Sequence, residues 1–130
     1  MNERILPLDL YTTILRVRDL ERSVEWYRDV LGLQPVNRDF QYRLVDLVSA
    51  RGQRITLREL NDDKPIIKSG LRSAYEVFIT ANADEAHSQL LAQGETVGEV
   101  EDHPGVRLFW VEDPDGHPLC ILQFVIDWNG

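Results

Sequence analysis

The chain has 130 residues, a hydrophobic content of 43% and a formal net charge of −8 from 22 acidic and 14 basic residues. That length and core content fit one compact domain. A phosphate backbone is disfavoured by the charge, no apolar run approaches the roughly 20 residues of a membrane helix, and the first residues do not read as a signal peptide.

Residues 8–17 alternate as a strand. Asp19 then reads as an N-cap, and Leu20, Val24, Tyr27 and Leu31 recur at the spacing of one helix face. Gly32 is the expected helix stop, since glycine takes the left-handed conformation cheaply. Strands are predicted at 34–38, 42–48 and 53–60, followed by a polar linker at 61–71. A second series begins with a strand at 74–80 and a helix capped by Asn82 or Asp84, with Ala83, Ala86 and Leu90 inward and Gly94 at its end. Strands at 95–100, 106–112 and 118–125 complete it. Asp113-Pro114-Asp115-Gly116 supplies a hairpin turn before the last, with proline presetting φ and glycine taking the positive value.

The two series repeat one another. Tyr42-Arg43-Leu44, Gly52 and Ile55-Thr56-Leu57 correspond to Val106-Arg107-Leu108, Gly116 and Leu119-Cys120-Ile121 at an offset of 64. Thr12-Thr13-Ile14-Leu15 precedes Tyr75-Glu76-Val77-Phe78 by 63. The fold class that follows is α+β, a βαβββ module at 8–60 and another at 72–126, fused into one structural domain. Paired positions in such a repeat can line a shared cavity.

Two stretches carry a family likeness. Ile14-Leu15-Arg16-Val17-Arg18-Asp19-Leu20-Glu21-Arg22-Ser23 leads through Trp26-Tyr27 to Val30-Leu31-Gly32-Leu33, and Phe109 leads to the Asp113-Pro114-Asp115-Gly116 hairpin. With the repeat, this resembles the vicinal oxygen chelate superfamily of glyoxalase I, extradiol dioxygenases, and fosfomycin and bleomycin resistance proteins. The resemblance implies mixed sheets curled into a cup-shaped cavity, usually within a homodimer. In metal-dependent members it places a ligand at the start of each module's first strand and another four residues after each last-hairpin glycine. Those positions here are Thr12, Thr56, Tyr75 and Cys120. Neutral hydroxyls and one thiol are poor donors for a catalytic divalent ion, and a one-residue slip either way brings no better set. No metal or other cofactor is expected.

Strand alternation puts Arg16 on the face of Thr12, and Arg54 and Arg58 on the face of Thr56. These guanidinium groups either hold a carboxylate or phosphate, or pair with acidic residues at a rim or interface. Trp110, Phe109, Phe40, Tyr42 and Phe124 are either cavity walls or core, while Trp26 and Tyr27 read as helix-to-sheet core and Trp128 as an interface residue. Cys120, the single cysteine, excludes an internal disulfide and reads as a buried strand residue rather than a nucleophile. His87, His103 and His117 read as surface or loop residues without short metal-ligand spacing, His103 being placed to meet a ligand at a rim. The carboxylates Asp39, Asp46, Glu59 and Glu76 form no close sequence pair for acid–base work.

Three functions are compatible: a metal-free binding protein resembling the bleomycin resistance branch, a metal-dependent lyase, isomerase, thiol transferase or dioxygenase with atypical ligands, and a non-catalytic dimeric interaction module. The residue types favour the first. The expectation is a cytoplasmic homodimer that binds a small organic molecule, with no nucleic-acid or membrane partner and no assigned catalytic residue. Thr12, Thr56, Tyr75 and Cys120 line the site in this reading, with Arg16, Arg58 and Trp110 beside them.

Overall fold

The structure is a computed structural model and describes residues 8–60 and 74–125. The predicted linker and Trp128 lie outside the described residues. The chain parts into two compact units, Met1–Asn61 and Asp62–Gly130. The first contains β1 (Thr13–Val17), α1 (Leu20–Asp29), β2 (Gln34–Asp39), β3 (Leu44–Val48) and β4 (Arg54–Glu59). The second contains β5 (Glu76–Ile79), α2 (Ala83–Ala92), β6 (Glu101–His103), β7 (Val106–Glu112) and β8 (Pro118–Phe124).

The sheet orders are β1-β4-β3-β2 and β5-β8-β7-β6. In each, the first strand pairs parallel to the fourth and the remaining pairs are antiparallel. The predicted βαβββ order therefore occurs twice. Two strands depart most from the sequence reading. β1 starts at Thr13 rather than residue 8, because Thr13 pairs with Ile55 and β4 itself begins at Arg54. The strand expected at 95–100 is replaced by β6, while Val97 makes only an isolated bridge to Val111.

In the first unit Leu15, Val17, Val45, Leu47 and Leu57 are buried, as are Leu20, Val24 and Tyr27 of α1. The helix packs on β2, β3 and β4, so these residues form one helix-to-sheet core. In the second, Ala83 and Leu90 of α2 are buried with Phe109, Val111, Leu119 and Ile121. Period-two alternation then leaves the other face of each sheet without a helix.

Both helices begin in the same way. The Asp19 side chain accepts the Arg22 N–H at 3.1 Å, and Asn82 accepts the Glu85 N–H at 3.0 Å. The first helical N–H is satisfied from the fourth strand: Leu20 donates to Glu59 Oε2 at 2.9 Å, and Ala83 to Gln123 Oε1 at 2.9 Å. Glu59 and Gln123 are themselves 64 residues apart, so the repeat preserves a capping device as well as a strand order. Hydrogen bonds from Arg43 and then from the Leu20 N–H hold Glu59 below the ordinary carboxylate range. Replacing either N-cap with alanine, Asp19→Ala or Asn82→Ala, is expected to lower stability by about 1 kcal/mol, read as a shift of the urea midpoint at unchanged slope.

At the end of α1, Gly32 stops the helix at φ 76° and donates to Arg28 O; at the end of α2, Glu95 donates to Leu90 O and Gly94, at φ 83°, to Leu91 O, the bond pair of a Schellman stop. Among the described residues no helix is long and apolar enough to cross a membrane.

Candidate functional site

The helix-free face of the first sheet is polar at its centre. Register places Ile14 beside Thr56, Arg16 beside Arg58 and Asp46 beside Thr56, so all five face the same side. Asp46 is 5% exposed, yet it stands in the middle strand of an apolar run. Its Oδ2 accepts from Arg54 Nη1 at 2.7 Å, Asn37 Nδ2 at 3.2 Å and the Tyr11 hydroxyl at 3.4 Å. Its Oδ1 accepts from the Thr56 hydroxyl at 2.5 Å. Thr56 in turn shares a 2.8 Å hydrogen bond with the Thr12 hydroxyl. Burial pushes the Asp46 pKa up, but the bonds from Thr56 and Asn37 and the charge and bond of Arg54 outweigh it and leave the group below the ordinary carboxylate range. The Arg54 guanidinium also lies over the Tyr11 ring, 4.7 Å from its centroid.

The helix-free face of the second sheet is apolar. Val77, Trp110 and Cys120 are neighbours across β5, β8 and β7. Tyr75 meets Trp110 edge-on with ring centroids 4.8 Å apart. Val77, Ile79, Tyr75 and Phe124 are exposed, whereas Cys120 is buried. Burial, and secondarily the charge of Glu101, push the Cys120 thiol pKa up. The thiol therefore stays protonated, the opposite of what a nucleophile or thiolate ligand requires.

The positions that hold metal in the resembled enzymes do not fit a divalent ion here. In the first unit, Thr12 and Thr56 are hydroxyls bonded to one another, and Thr56 is bonded on to Asp46. In the second unit, Tyr75 packs edge-on against Trp110 and Cys120 carries a protonated, buried sulfur. Neither pair offers an imidazole or a carboxylate.

The other residues singled out from sequence fall as follows. Arg54 is engaged by Asp46, and Arg16 and Arg58 stand side by side as register partners. Phe109 lies on the opposite side of β7 from Trp110, where it is fully buried and meets the His87 ring edge-on at 5.1 Å, so it belongs to the helix-side core. Phe40 and Tyr42 are exposed in the turn between β2 and β3. His87 is partly buried and its Nε2 bonds Gly98 O at 2.8 Å, and exposed His103 pairs with Glu101 at 2.9 Å.

His117 lies in the hairpin loop before β8, one of the two places expected for it, but it is buried rather than at the surface. Its backbone N–H and that of Asp115 both donate to Asp113 Oδ1, at 2.8 and 2.9 Å, which draws the hairpin inward. The donor atoms of Asp113, Asp115 and His117 come within 4.8 Å of one another, and the shared Asp113 oxygen is the one that locks the turn.

Asp46 is the residue that sequence reasoning passed over. One signal was present: strand alternation alone places it on a face with Thr56 once β3 and β4 are paired as a hairpin.

These features coincide with a known family. The profile described as Glyoxalase/Bleomycin resistance protein/Dioxygenase superfamily matches residues 9–121. The chain belongs to this superfamily. Its curated relatives include lactoylglutathione lyases. The one from Escherichia coli is 31% identical over 124 residues, covering 88% of this chain and 91% of the relative. That from Haemophilus influenzae is 29% identical over 126 residues, covering 89% and 93%. A solved superfamily domain from a Frankia species superposes with a TM-score of 0.76 at 19% identity, over 90% of this chain and 98% of that one, a likeness of fold. The superfamily's α+β architecture with two mixed sheets is thus common to sequence, structure and relatives.

Proposed function

We propose that the protein binds a small organic anion on the helix-free face of its first sheet, without a divalent metal at the superfamily's usual positions. The observation that carries this reading is the register pairing of Arg16 with Arg58 beside a polar group built from partly exposed Thr12 and buried Thr56 and Asp46. Like charges opposite one another on one face are unfavourable, and an anion that accepts paired hydrogen bonds from Arg58 offsets that repulsion. Arg58 has no ion-pair partner among the described residues, in contrast to Arg54, Arg43 and Arg107. A homodimer in the cytoplasm belongs to the same reading, and sedimentation of the untagged chain tests the dimer.

The test begins with elemental analysis of tag-free protein equilibrated with manganese, iron, nickel and zinc and then desalted. Metal well below one equivalent per chain is the expected result. Thermal-shift screening of carboxylates and phosphates should then give hits that Arg58→Gln weakens about tenfold, the loss of one charge-assisted bond. Near-stoichiometric metal that is lost on changing Thr56 or Cys120 would overturn the reading.

The named activity of the curated relatives favours a second reading, lactoylglutathione lyase activity with atypical ligands. Turnover in that assay dependent on added metal would select it.

A further inference from the structure

The first unit's polar group has a direction. Asp46 pairs with Arg54, and its two oxygens accept from Arg54, Asn37, Tyr11 and Thr56 together. Such a carboxylate is ionised and carries no hydrogen of its own. The 2.5 Å bond to Thr56 is therefore donated by Thr56, at the length of a charge-assisted O–H···O⁻ contact. A threonine hydroxyl has one hydrogen, so Thr56 has none left. The 2.8 Å bond between the two threonines is then donated by Thr12. Its alternative acceptor, Thr13 O, lies at 3.4 Å and competes for the same hydrogen.

Thr12 thus has only lone pairs to offer. It is also the accessible end of the chain, being partly exposed where Thr56 and Asp46 are buried. We infer that the Thr12–Thr56–Asp46 chain presents a fixed hydrogen-bond acceptor, so that the site selects organic anions carrying a hydroxyl, amide N–H or ammonium donor. The inference rests on the anion reading above and adds the second half of the ligand. Asp46 is a positioning residue here: it acts through Thr56 on Thr12 and touches no ligand.

The register also limits the ligand's size. Thr56 and Arg58 are two residues apart on β4, about 7 Å along the strand. Ile14, the register partner of Thr56, is 52% exposed beside them and offers an apolar surface for the carbon between donor and anion. A hydroxyaryl or hydroxyalkyl carboxylate of that span meets all three features.

The probes are 4-hydroxyphenylacetate, its methyl ether 4-methoxyphenylacetate, and phenylacetate, titrated into the full chain by calorimetry or ligand-observed NMR. The hydroxyl compound should bind about tenfold tighter than either of the others. Thr12→Val keeps the shape, removes the acceptor and should bring the three within about twofold, whereas Thr12→Ser should restore the preference. Asp46→Asn should weaken the preference, since Thr56 is then no longer held as a donor. Equal binding of all three acids to the wild-type protein, or a preference that survives Thr12→Val, overturns the inference and leaves the anion reading standing. If none of the acids binds, while phosphates and other carboxylates also fail in the thermal-shift screen, the anion reading falls and takes this inference with it.

Discussion

Phe109→Ala is expected to lower stability by about 3–5 kcal/mol, while Trp110→Ala, its neighbour in sequence, costs clearly less. Phe109 is fully buried, sits beside Ile121 in the register of β7 and β8, and meets His87 of α2 edge-on. Truncating it opens a cavity between helix and sheet that the strands cannot close by moving, since both are fixed by ladder bonds. Trp110 projects to the other face and is only partly buried, so much of its truncation faces solvent. Urea denaturation of both variants measures the difference, with Phe109→Leu as a folded reference that loses less volume. Equal costs, or a larger cost at Trp110, would mean that the faces of β7 are assigned the wrong way round.

That assignment marks the boundary of what could be read from the chain. The repeat offset, the two N-caps and the hairpin at Asp113-Pro114-Asp115-Gly116 rest on local chemistry, and local chemistry is written in consecutive residues. Gly116 has φ 83° and donates to Asp113 O at 2.9 Å, as the turn requires. The strand expected at 95–100 fails for a non-local reason. Gly98 donates to Trp110 O at 2.9 Å and Glu112 to Thr96 O at 3.1 Å around the single bridge of Val97 to Val111, while the Gly98 carbonyl is taken by His87. The strand forms instead at Glu101-Asp102-His103, three exposed polar residues. A charged edge strand guards a sheet against pairing with another chain, and for the same reason it resembles a loop in sequence.

The site was half legible. Setting Arg16 on the face of Thr12, and Arg58 on that of Thr56, needed only the period of two, and the register of β1 with β4 joins the two pairs. Asp46 was not found because its meaning depends on partners from elsewhere: Asn37 on β2, Arg54 and Thr56 on β4, and Tyr11 before β1. A lone carboxylate inside Leu44-Val45-Asp46-Leu47-Val48 looks like an ordinary outward residue until register shows four donors converging on it. The superfamily's ligand positions in this unit are Thr12 and Thr56, and the buried charge stands on the strand beside Thr56.

Removing the charge opposite Asp46 should expose this dependence directly. Arg54→Met keeps most of the stem and deletes the guanidinium, leaving Asp46 buried with three neutral donors. Breaking one side of a fully buried pair costs about 3–5 kcal/mol, and with Arg54 24% exposed the expected loss is smaller, about 1–3 kcal/mol near neutral pH. The pH dependence has a definite sign. The folded-state pKa of Asp46 is depressed below its unfolded value, so its contribution is fully present above the ordinary carboxylate range, from about pH 5 upward, and is lost as pH falls through the folded value. Stability should therefore drop on acidification in the wild type. In Arg54→Met the folded-state pKa of Asp46 rises toward its unfolded value, so the Asp46 part of that drop should shrink and end at higher pH. In Asp46→Asn it should be absent, and the residual acid limb then belongs to the other paired carboxylates, Glu59 and Asp29, whose pKa values are also lowered. Urea midpoints from pH 7 down to pH 3 separate these cases. Superimposable pH profiles for the wild type and Arg54→Met would show that the guanidinium does not hold the Asp46 charge, and the direction of the Thr56 bond would need another source.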